Sequence, residues 1–549
     1  MNTGQPLIRF EDARSETYAE WGLKSGLEIH QQLNTRHKLF CRCPVRPYSD
    51  HVDAEILRHM RPTLSELGEY DGTALMEFKT KKNIIYQLDN RSVCTYEMDD
   101  TPPFELNLEA LDIALEIALL LDCNIVSELH VSRKQYLDGS IPTGFQRTTI
   151  VGVEGKIPVN GRKIGIIQLG LEEDACREVA DEGHQRTYRT DRLGIPLIET
   201  VTYPDMQTPQ EVAAAAQVIR YLTRATGKVR TGIGAARQDV NVSVTGGRRV
   251  EIKGVPKIRM IPRLVHNEAL RQCSLLSIRR ELKSRGIAED TFKHLSRDVT
   301  DQIKSTSFGP LRQALEENLR VMAVVIRGYH GILNFSTQPG TTFAKEIIDR
   351  VRVIACLDQF PNLIHSDAPS DNLLSGEWMR LKRFTGCREK DALVLTWGSA
   401  ADVSRAAEEI GIRAREAAVG IPAETRQALS DGTNGFERIL PGPNRMYPDT
   451  DLPPLAVPEA KIREIRDKLP EPPWEKERRY IAMGIAASLA EDLSRSAMSD
   501  AFERLVHEAG AGPADAARYL MVILPTLMKS NSVTTAPDAD QLVDIIRAV

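Results

Sequence analysis

The run SGLEIHQQLNTRHKLFCRCP, from Ser25 to Pro44, sets a carboxylate and an imidazole two residues apart. On a strand over Leu27 to Leu33, Glu28 and His30 project from one face while Leu27 and Ile29 project from the other. A carboxylate and an imidazole so placed can hold a divalent metal, and they can equally form a hydrogen-bonded surface pair. A second run, QLGLEEDACRE from Gln168 to Glu178, crowds Glu172, Glu173 and Asp174 together. Adjacent negative charges are costly unless a cation or basic partner joins them, so this run reads as a cation site or as an exposed acidic helix start. A third, RQDVNVSVTGGRRVEIKG from Arg237 to Gly254, alternates Val240, Val242 and Val244 with Asp239, Asn241 and Ser243. After the Thr-Gly-Gly turn, Val250 and Ile252 alternate with Arg249, Glu251 and Lys253. That pattern predicts a hairpin with one dry face and one face dense in acid, amide, hydroxyl and basic groups, a composition closer to a site than to a solvated sheet surface.

Anions have a signal of their own. Between Arg220 and Arg263 stand eleven basic residues against only Asp239 and Glu251. A face with that imbalance would repel itself, so a polyanion is the expected partner of this segment, although the whole chain carries a formal charge of -5. Within it, Gly232 and Gly234, between Arg230 and Arg237, could offer backbone N–H groups to a phosphate, though a lone G-x-G is a weak signal. The chain has no G-x-x-x-x-G-K-[ST] run, which excludes a P-loop. It also lacks a G-x-S-x-G elbow and any Cys or Thr in a recognisable nucleophile motif, so hydrolysis of glutamine by this chain is not expected. Cys41 and Cys43 are a close pair among eight scattered cysteines, and with Cys94 or His37 they could contribute to a zinc site; packed thiols are the alternative.

The elements that must position these residues fall into three textures. At 549 residues, with 42% hydrophobic and 27% charged, the chain suits several globular domains. Residues 1–285 are mixed α/β. Within them a helix is predicted from Thr208 as N-cap, with Pro209 at the first helical position, Glu211 closing a capping box, and Val212, Ala215, Ala216, Ile219 and Leu222 as its buried face. Residues 286–430 read as an inserted α+β domain, with RVRVIAC and DALVLTW as strands and a helix from Ala401 to Val419 stopped by Gly420. Residues 431–456, including the loop ILPGPNRMYPDTDLPPL, return to the first domain, and residues 457–549 form a helical tail. The longest apolar stretch, Ile113 to Leu121, is interrupted by Glu116 and falls short of the ~20 residues that span a bilayer. With a polar, acidic start that lacks the blocks of a secretory signal, a cytoplasmic location without membrane contact is expected.

Six segments in order, GLEIHQQLNTRHKLFCRCP, SRKQYLDGSIPTGFQRT, LEEDA, DRLGIPLIETVTYPD, GIGAARQDVNVSV and VEIKGV, resemble the motifs of the family formed by the B-type and E-type subunits of glutamyl-tRNA(Gln) amidotransferases. LIHSDAPS, IPAETRQALSDGT and RMYPDTDLPP are similar to the aspartyl-tRNA-synthetase-like insert that marks the archaeal E-type subunit. The resemblance implies a cradle-shaped catalytic domain, that insert, and a helical tail longer than the one here. It implies ATP and Mg²⁺ as cofactors, phosphorylation of the γ-carboxylate of glutamate on tRNA(Gln), and amidation by ammonia from an asparaginase-like glutaminase, the D-type subunit. By this resemblance Glu28, His30 and Glu173 hold the metal. Asp239 joins them as a catalytic residue, and Arg230, Gly232, Gly234, Arg237 and Lys253 are candidates for nucleotide or acyl-end contacts. The alternatives are a non-catalytic tRNA-binding homologue and a kinase-amidase for another carboxylate.

Overall fold

The computed structural model describes residues 7–64, 68–368, 372–440, 442, 445–496, 498–530 and 537–548. Pro369 and Ser370 of LIHSDAPS, and residues 441, 443 and 444 of the Pro/Gly loop, lie outside the described residues. The protein is mixed α/β with several distinct hydrophobic cores. Its centre is an eleven-stranded sheet. Ten strands lie along its path: β1 (Lys24–Gln32), β2 (Val131–Gln135), β3 (Phe145–Val159), β4 (Arg162–Glu173), β5 (Pro196–Thr202), β6 (Ala236–Ser243), β7 (Val250–Val255), β8 (Glu424–Ala428), β9 (Asn434–Ile439) and β10 (Met446–Pro448). Their spatial order is β9-β8-β7-β6-β1-β5-β4-β3-β2-β10, and every pair is antiparallel except β7 with β8.

Strand alternation divides the sheet into two unlike faces. One face presents Leu27, Ile29, Leu171, Ile198, Val240, Val242 and Ile252, all buried, to three helices: α1 (Leu108–Leu120), α2 (Pro209–Ala225) and α3 (Ile261–Ser284). Helix α2 begins as its sequence predicts. Thr208 Oγ1 accepts from the Glu211 N–H at 3.3 Å, Glu211 Oε2 accepts from the Thr208 N–H at 3.2 Å, and the five predicted apolar residues are buried. Each such residue shut away from water contributes roughly 1.5–3 kcal/mol for a full-sized aliphatic side chain. The other face carries the polar members of the same strands.

The insert has its own four-stranded antiparallel sheet, formed by His294–Asp298, Arg320–Ile326, Ala392–Gly398 and Leu363–His365 in spatial order. DALVLTW forms its third strand, and the predicted helix runs Ala400–Val419 with Gly420 as C-cap at φ 138. RVRVIAC is instead the end of a helix, Phe343–Ile354. Its β-branched residues favour a strand locally, but Phe343, Ala344, Ile347, Val351 and Ile354 are buried at helical spacing, and that packing decides. Strand β8 starts at Glu424, so the main sheet reaches into the 286–430 segment ahead of the expected return at 431.

Helix α3 ties the two bodies together. Leu264 and Val265 pack in the first core, and Leu275, Ile278 and Leu282 pack in the insert's core. Between them Arg271, fully buried, donates to Glu268 at 3.0 Å and to Glu346 of the insert at 2.8 Å, and also reaches Glu424 of β8. Charges this deep are tolerated only when paired, so removing one partner is expected to cost ~3–5 kcal/mol. Beyond residue 457 the elements among the described residues are all helices. Tyr480, Leu493, Phe502, Leu505 and Leu520 form a separate core there. No helix among the described residues is long and apolar enough to cross a membrane.

Candidate active site

The polar face of the sheet gathers its charges through register. Glu28 of β1 stands opposite Asp239 of β6, and His30 stands opposite Arg237 on β6 and Glu199 on β5. Glu251 of β7 is opposite Asn241 of β6, and Glu172 of β4 is opposite Leu197, two residues from Glu199. Directly opposed and next-but-one residues share a face, so Glu28, Glu172, Glu199, Asp239 and Glu251 converge around His30.

The distances confirm the meeting. His30 Nδ1 is 3.4 Å from Glu172, and Nε2 is 3.6 Å from Asp239 and 3.9 Å from Glu199. Lys134 reaches Glu172 at 2.9 Å and Glu199 at 3.5 Å, and Lys253 reaches Glu251 at 3.2 Å and Asp239 at 3.3 Å. Asn241 donates to Glu28 at 3.0 Å. Arg237 pairs with Asp174 at 2.9 Å, and Gln32 donates to the same carboxylate at 2.7 Å.

Electrostatics singles out Glu28. Burial, followed by the charges of Glu251, Glu199 and Asp239, raises its pKa from 4.5 to about 7. Its neighbours go the other way. Burial is the largest influence on Glu172 and Asp239 too and opposes their ionisation, but Lys134 and His30 together outweigh it at Glu172, brought to about 2, and Lys253, His30 and the Gly254 N–H together outweigh it at Asp239, held well below the usual carboxylate range. Burial alone would neutralise His30, yet its contacts with Asp239 and Glu172 raise it to about 10. On this face Glu28 is therefore a carboxylate whose charge calls for a cation.

Two overlapping ligand sets share that residue. The ligand atoms of Glu28, His30 and Glu199 lie within 4.8 Å of one another, and so do those of Glu28, Asp239 and Glu251. A carboxylate-rich set with few protein ligands suits Mg²⁺, which keeps several waters for exchange with phosphate oxygens. The donor chemistry thus fits the cofactor that the sequence resemblance implies.

The predicted residues are not all brought together. Glu28, His30, Asp239, Arg237 and Lys253 meet on the polar face. Glu173 does not join His30: strand alternation turns it to the other face, where Tyr96 donates to Oε1 and the Arg147 N–H to Oε2 at 3.4 Å. Burial raises its pKa to about 7. The carboxylate from this run that stands beside His30 is Glu172. Gly232 borders a different cleft on the helical face, Gly234 packs on Tyr48, and Arg230 lies over the Tyr48 ring. Sequence reasoning missed Glu199 and Lys134. The available signal for Glu199 was a lone carboxylate inside an apolar strand, IPLIETVTY, at the parity of Leu197 and Val201.

The eleven basic residues also separate. Lys228, Arg237, Lys253 and Arg263 have carboxylate partners, and Arg230 stacks on Tyr48. Arg220, Arg224, Lys257 and Arg259 line a cleft of about 770 Å³ on the helical face, with Gln31 and Gln238, and no carboxylate lines it.

The sheet thus gathers carboxylates and an imidazole on one face and, on the opposite face, a cleft lined by cations with no carboxylate among its lining residues. Residues 23–463 match the GatB/GatE catalytic domain family. The chain is 44% identical over 467 residues to the E-type subunit of the glutamyl-tRNA(Gln) amidotransferase of Methanocaldococcus jannaschii, covering 84% of this chain and 73% of that one. The E-type subunits of Methanopyrus kandleri and Pyrococcus furiosus are each 41% identical, over 96% and 93% of this chain and 83% and 81% of theirs. The chain belongs to the GatB/GatE family.

Proposed function

We propose that this chain is the subunit of a glutamyl-tRNA(Gln) amidotransferase that activates glutamate on misacylated tRNA(Gln) with ATP and converts it to glutamine. The observation that carries this reading is the meeting of Glu28, His30, Glu199, Asp239 and Glu251 on one face of a family member's sheet. A carboxylate is a poor acyl donor until an oxygen becomes a good leaving group. In this reading the γ-carboxylate oxygen of the esterified glutamate attacks the γ-phosphorus of ATP, and the bond to the β,γ-bridging oxygen breaks to release ADP. Ammonia then attacks the acyl phosphate carbon, the C–O bond breaks, inorganic phosphate leaves, and the amide remains.

Glu28, His30 and Glu199, with Asp239 and Glu251, would hold Mg²⁺, which would neutralise charge developing on the transferred phosphoryl group. Lys134 and Lys253 keep Glu172 and Asp239 ionised and, through their ion pairs, fix Glu199 and Glu251 in position. Arg237, anchored by Asp174, presents a fixed positive edge to phosphate or acyl oxygens. The cleft of Arg220, Arg224, Lys257 and Arg259 holds tRNA phosphates, because cations without carboxylate partners are the ones free to displace counterions. A partner glutaminase supplies the ammonia. The activity belongs in the cytoplasm, where charged tRNA is made.

Hydroxylamine trapping tests the activation step. Glutamyl-tRNA(Gln), ATP and Mg²⁺ with hydroxylamine and no ammonia should yield the γ-hydroxamate of glutamate and ADP in equal amounts, separated from the α-hydroxamate that hydroxylamine forms by cleaving the tRNA ester itself. ADP formation that ignores glutamyl-tRNA, or γ-hydroxamate without ATP, would sink the assignment.

A further inference from the structure

The cleft of Arg220, Arg224, Lys257 and Arg259 on the helical face has more in it than phosphates need. Part of its lining is apolar: Ile29 of β1, Ala213 and Ala216 of α2, and Ile258 stand among the cations. A volume of about 770 Å³ is that of a small-ligand cleft, whereas a phosphate backbone needs only a charged rim. Burial, and then the charge of Arg220, lower the pKa of Arg224, as befits two cations set side by side with no carboxylate in the lining.

Two further features point to a nucleobase. Gln238 of β6 lines the cleft and is 6% exposed, and its Oε1 is buried without a hydrogen-bond partner. Such an acceptor is costly to leave unmet, and a fully ionised phosphate has no proton to donate to it. The exocyclic amine of a base has one. The second feature is the loop from Arg230 to Ala235 at the rim, where Gly232 lines the cleft. Gln31 Nε2 donates to the carbonyl of Arg230 at 2.9 Å and to that of Ala235 at 3.2 Å, so both ends of the loop are tied to β1. Gly232 and Gly234 take φ of 105 and 81, in the left-handed region that side chains disfavour, and Ile233 between them is 98% exposed. A lone exposed apolar residue is ordinary on a protein surface. One held at the tip of a pinned loop beside unpaired cations has the form of the apolar contacts that proteins place against unstacked bases.

We propose that this cleft takes one unstacked, amine-bearing nucleotide of RNA. Its amine donates to Gln238 Oε1, its flanking phosphates meet Arg220, Arg224, Lys257 and Arg259, and the neighbouring base packs on Ile233. The proposal rests on the reading of this cleft as a tRNA site and names what the site holds. Base identity follows from the free acceptor. Cytosine carries an amine at the edge where uracil carries an oxygen, and that oxygen would face Gln238 Oε1 acceptor to acceptor.

The test follows the fluorescence anisotropy of labelled hexacytidylate and hexauridylate titrated with the full chain, without ATP or Mg²⁺. Both strands carry the same phosphates, so only the base edge differs. Hexacytidylate should bind about tenfold more tightly, and Gln238→Leu should remove that preference without changing the salt dependence. Ile233→Ala should weaken both strands by about threefold to tenfold. Arg220→Ala with Arg224→Ala should lower the slope of log affinity against log salt by about 1.4. Because Ile233 lies outside every core and the strand preference of the unaltered chain needs no variant, a Gln238→Leu chain that fails to fold leaves the proposal open to refutation. Equal binding of the two strands by the unaltered chain overturns it, as does Ile233→Ala at parental affinity. In either case a slope that still falls with the arginine pair leaves the tRNA reading of the cleft standing, and an unchanged slope removes that reading as well. Displacement of hexacytidylate by an equal concentration of CMP would identify a free nucleotide as the occupant and overturn the RNA assignment.

Discussion

Glu28 belongs to both ligand sets on the acidic face, and its replacement gives the sharpest test of the cation assignment. Burial, and then the charges of Glu251, Glu199 and Asp239, oppose its charged form and raise its pKa to about 7. A divalent cation offsets that opposition, and Glu28 is the one carboxylate that contributes a ligand atom to both sets. Glu28→Gln keeps the side-chain shape and the Asn241 contact but removes the charge, and should weaken cation binding by roughly 100-fold, ~2.7 kcal/mol. Glu199→Gln disturbs only the set containing His30 and should cost about tenfold, within the usual range for one metal contact. Glu173→Gln, on the other face with Tyr96 and Arg147, should leave affinity within about threefold. Mn²⁺ binding followed by electron paramagnetic resonance reports affinity directly, without turnover. Near-parental affinity in Glu28→Gln, or a Glu173→Gln loss exceeding that of Glu199→Gln, would refute the geometry argued above.

Three further outcomes follow from the same structure. In the insert, burial holds His365 at about 4, below its ordinary 6.5, so the unfolded chain binds its proton more readily. The corresponding stability is present above pH 6.5 and is lost as pH falls toward about 4, by up to ~3 kcal/mol; His365→Gln should flatten that dependence in urea melts between pH 7.5 and 5, and an unchanged slope would count against it. Arg220→Ala with Arg224→Ala should reduce the slope of log tRNA affinity against log salt by roughly 1.5 and weaken binding more than tenfold, whereas removing the tail from Pro473 onward should cost less than tenfold. The reason is that Arg478, Arg479, Arg495 and Arg504 of the tail already pair with carboxylates; a salt slope insensitive to the double substitution would move the principal RNA contact elsewhere. Finally, the chain alone should release no glutamate from free glutamine, and detecting such release in a purified preparation would contradict the absence of a nucleophile motif.

Local alternation carried much of this site. Glu28 with His30, and Asp239 with Glu251 and Lys253, could be placed on single faces because a strand's side chains alternate whatever the strand pairs with. What alternation cannot supply is which strands become neighbours. Glu199 and Lys134 reach the site through the β1–β5 register and the order β5-β4-β3-β2, which are long-range choices. The double acid Glu172-Glu173 shows the same limit at finer grain. One of the two had to face His30, but only pairing with Leu197 selects Glu172. RVRVIAC failed for a related reason, since burial against the insert's core overrode local strand preference. The capping box of α2 was legible because all its contacts lie within four residues.

The central claim, ATP-driven amidation of tRNA-borne glutamate by this chain, is tested most directly by charging tRNA(Gln) with radiolabelled glutamate and adding the chain, Mg²⁺, ATP and ammonium with no glutaminase present. After deacylation the label should appear as glutamine, with one ADP formed per glutamine and no conversion when ATP is omitted or when Glu28→Gln replaces the parent chain. Glutamate recovered unchanged while the tRNA stays bound would identify a tRNA-binding protein without this chemistry, and equal conversion of free glutamate would identify an amidating enzyme for another carboxylate; either result contradicts the account.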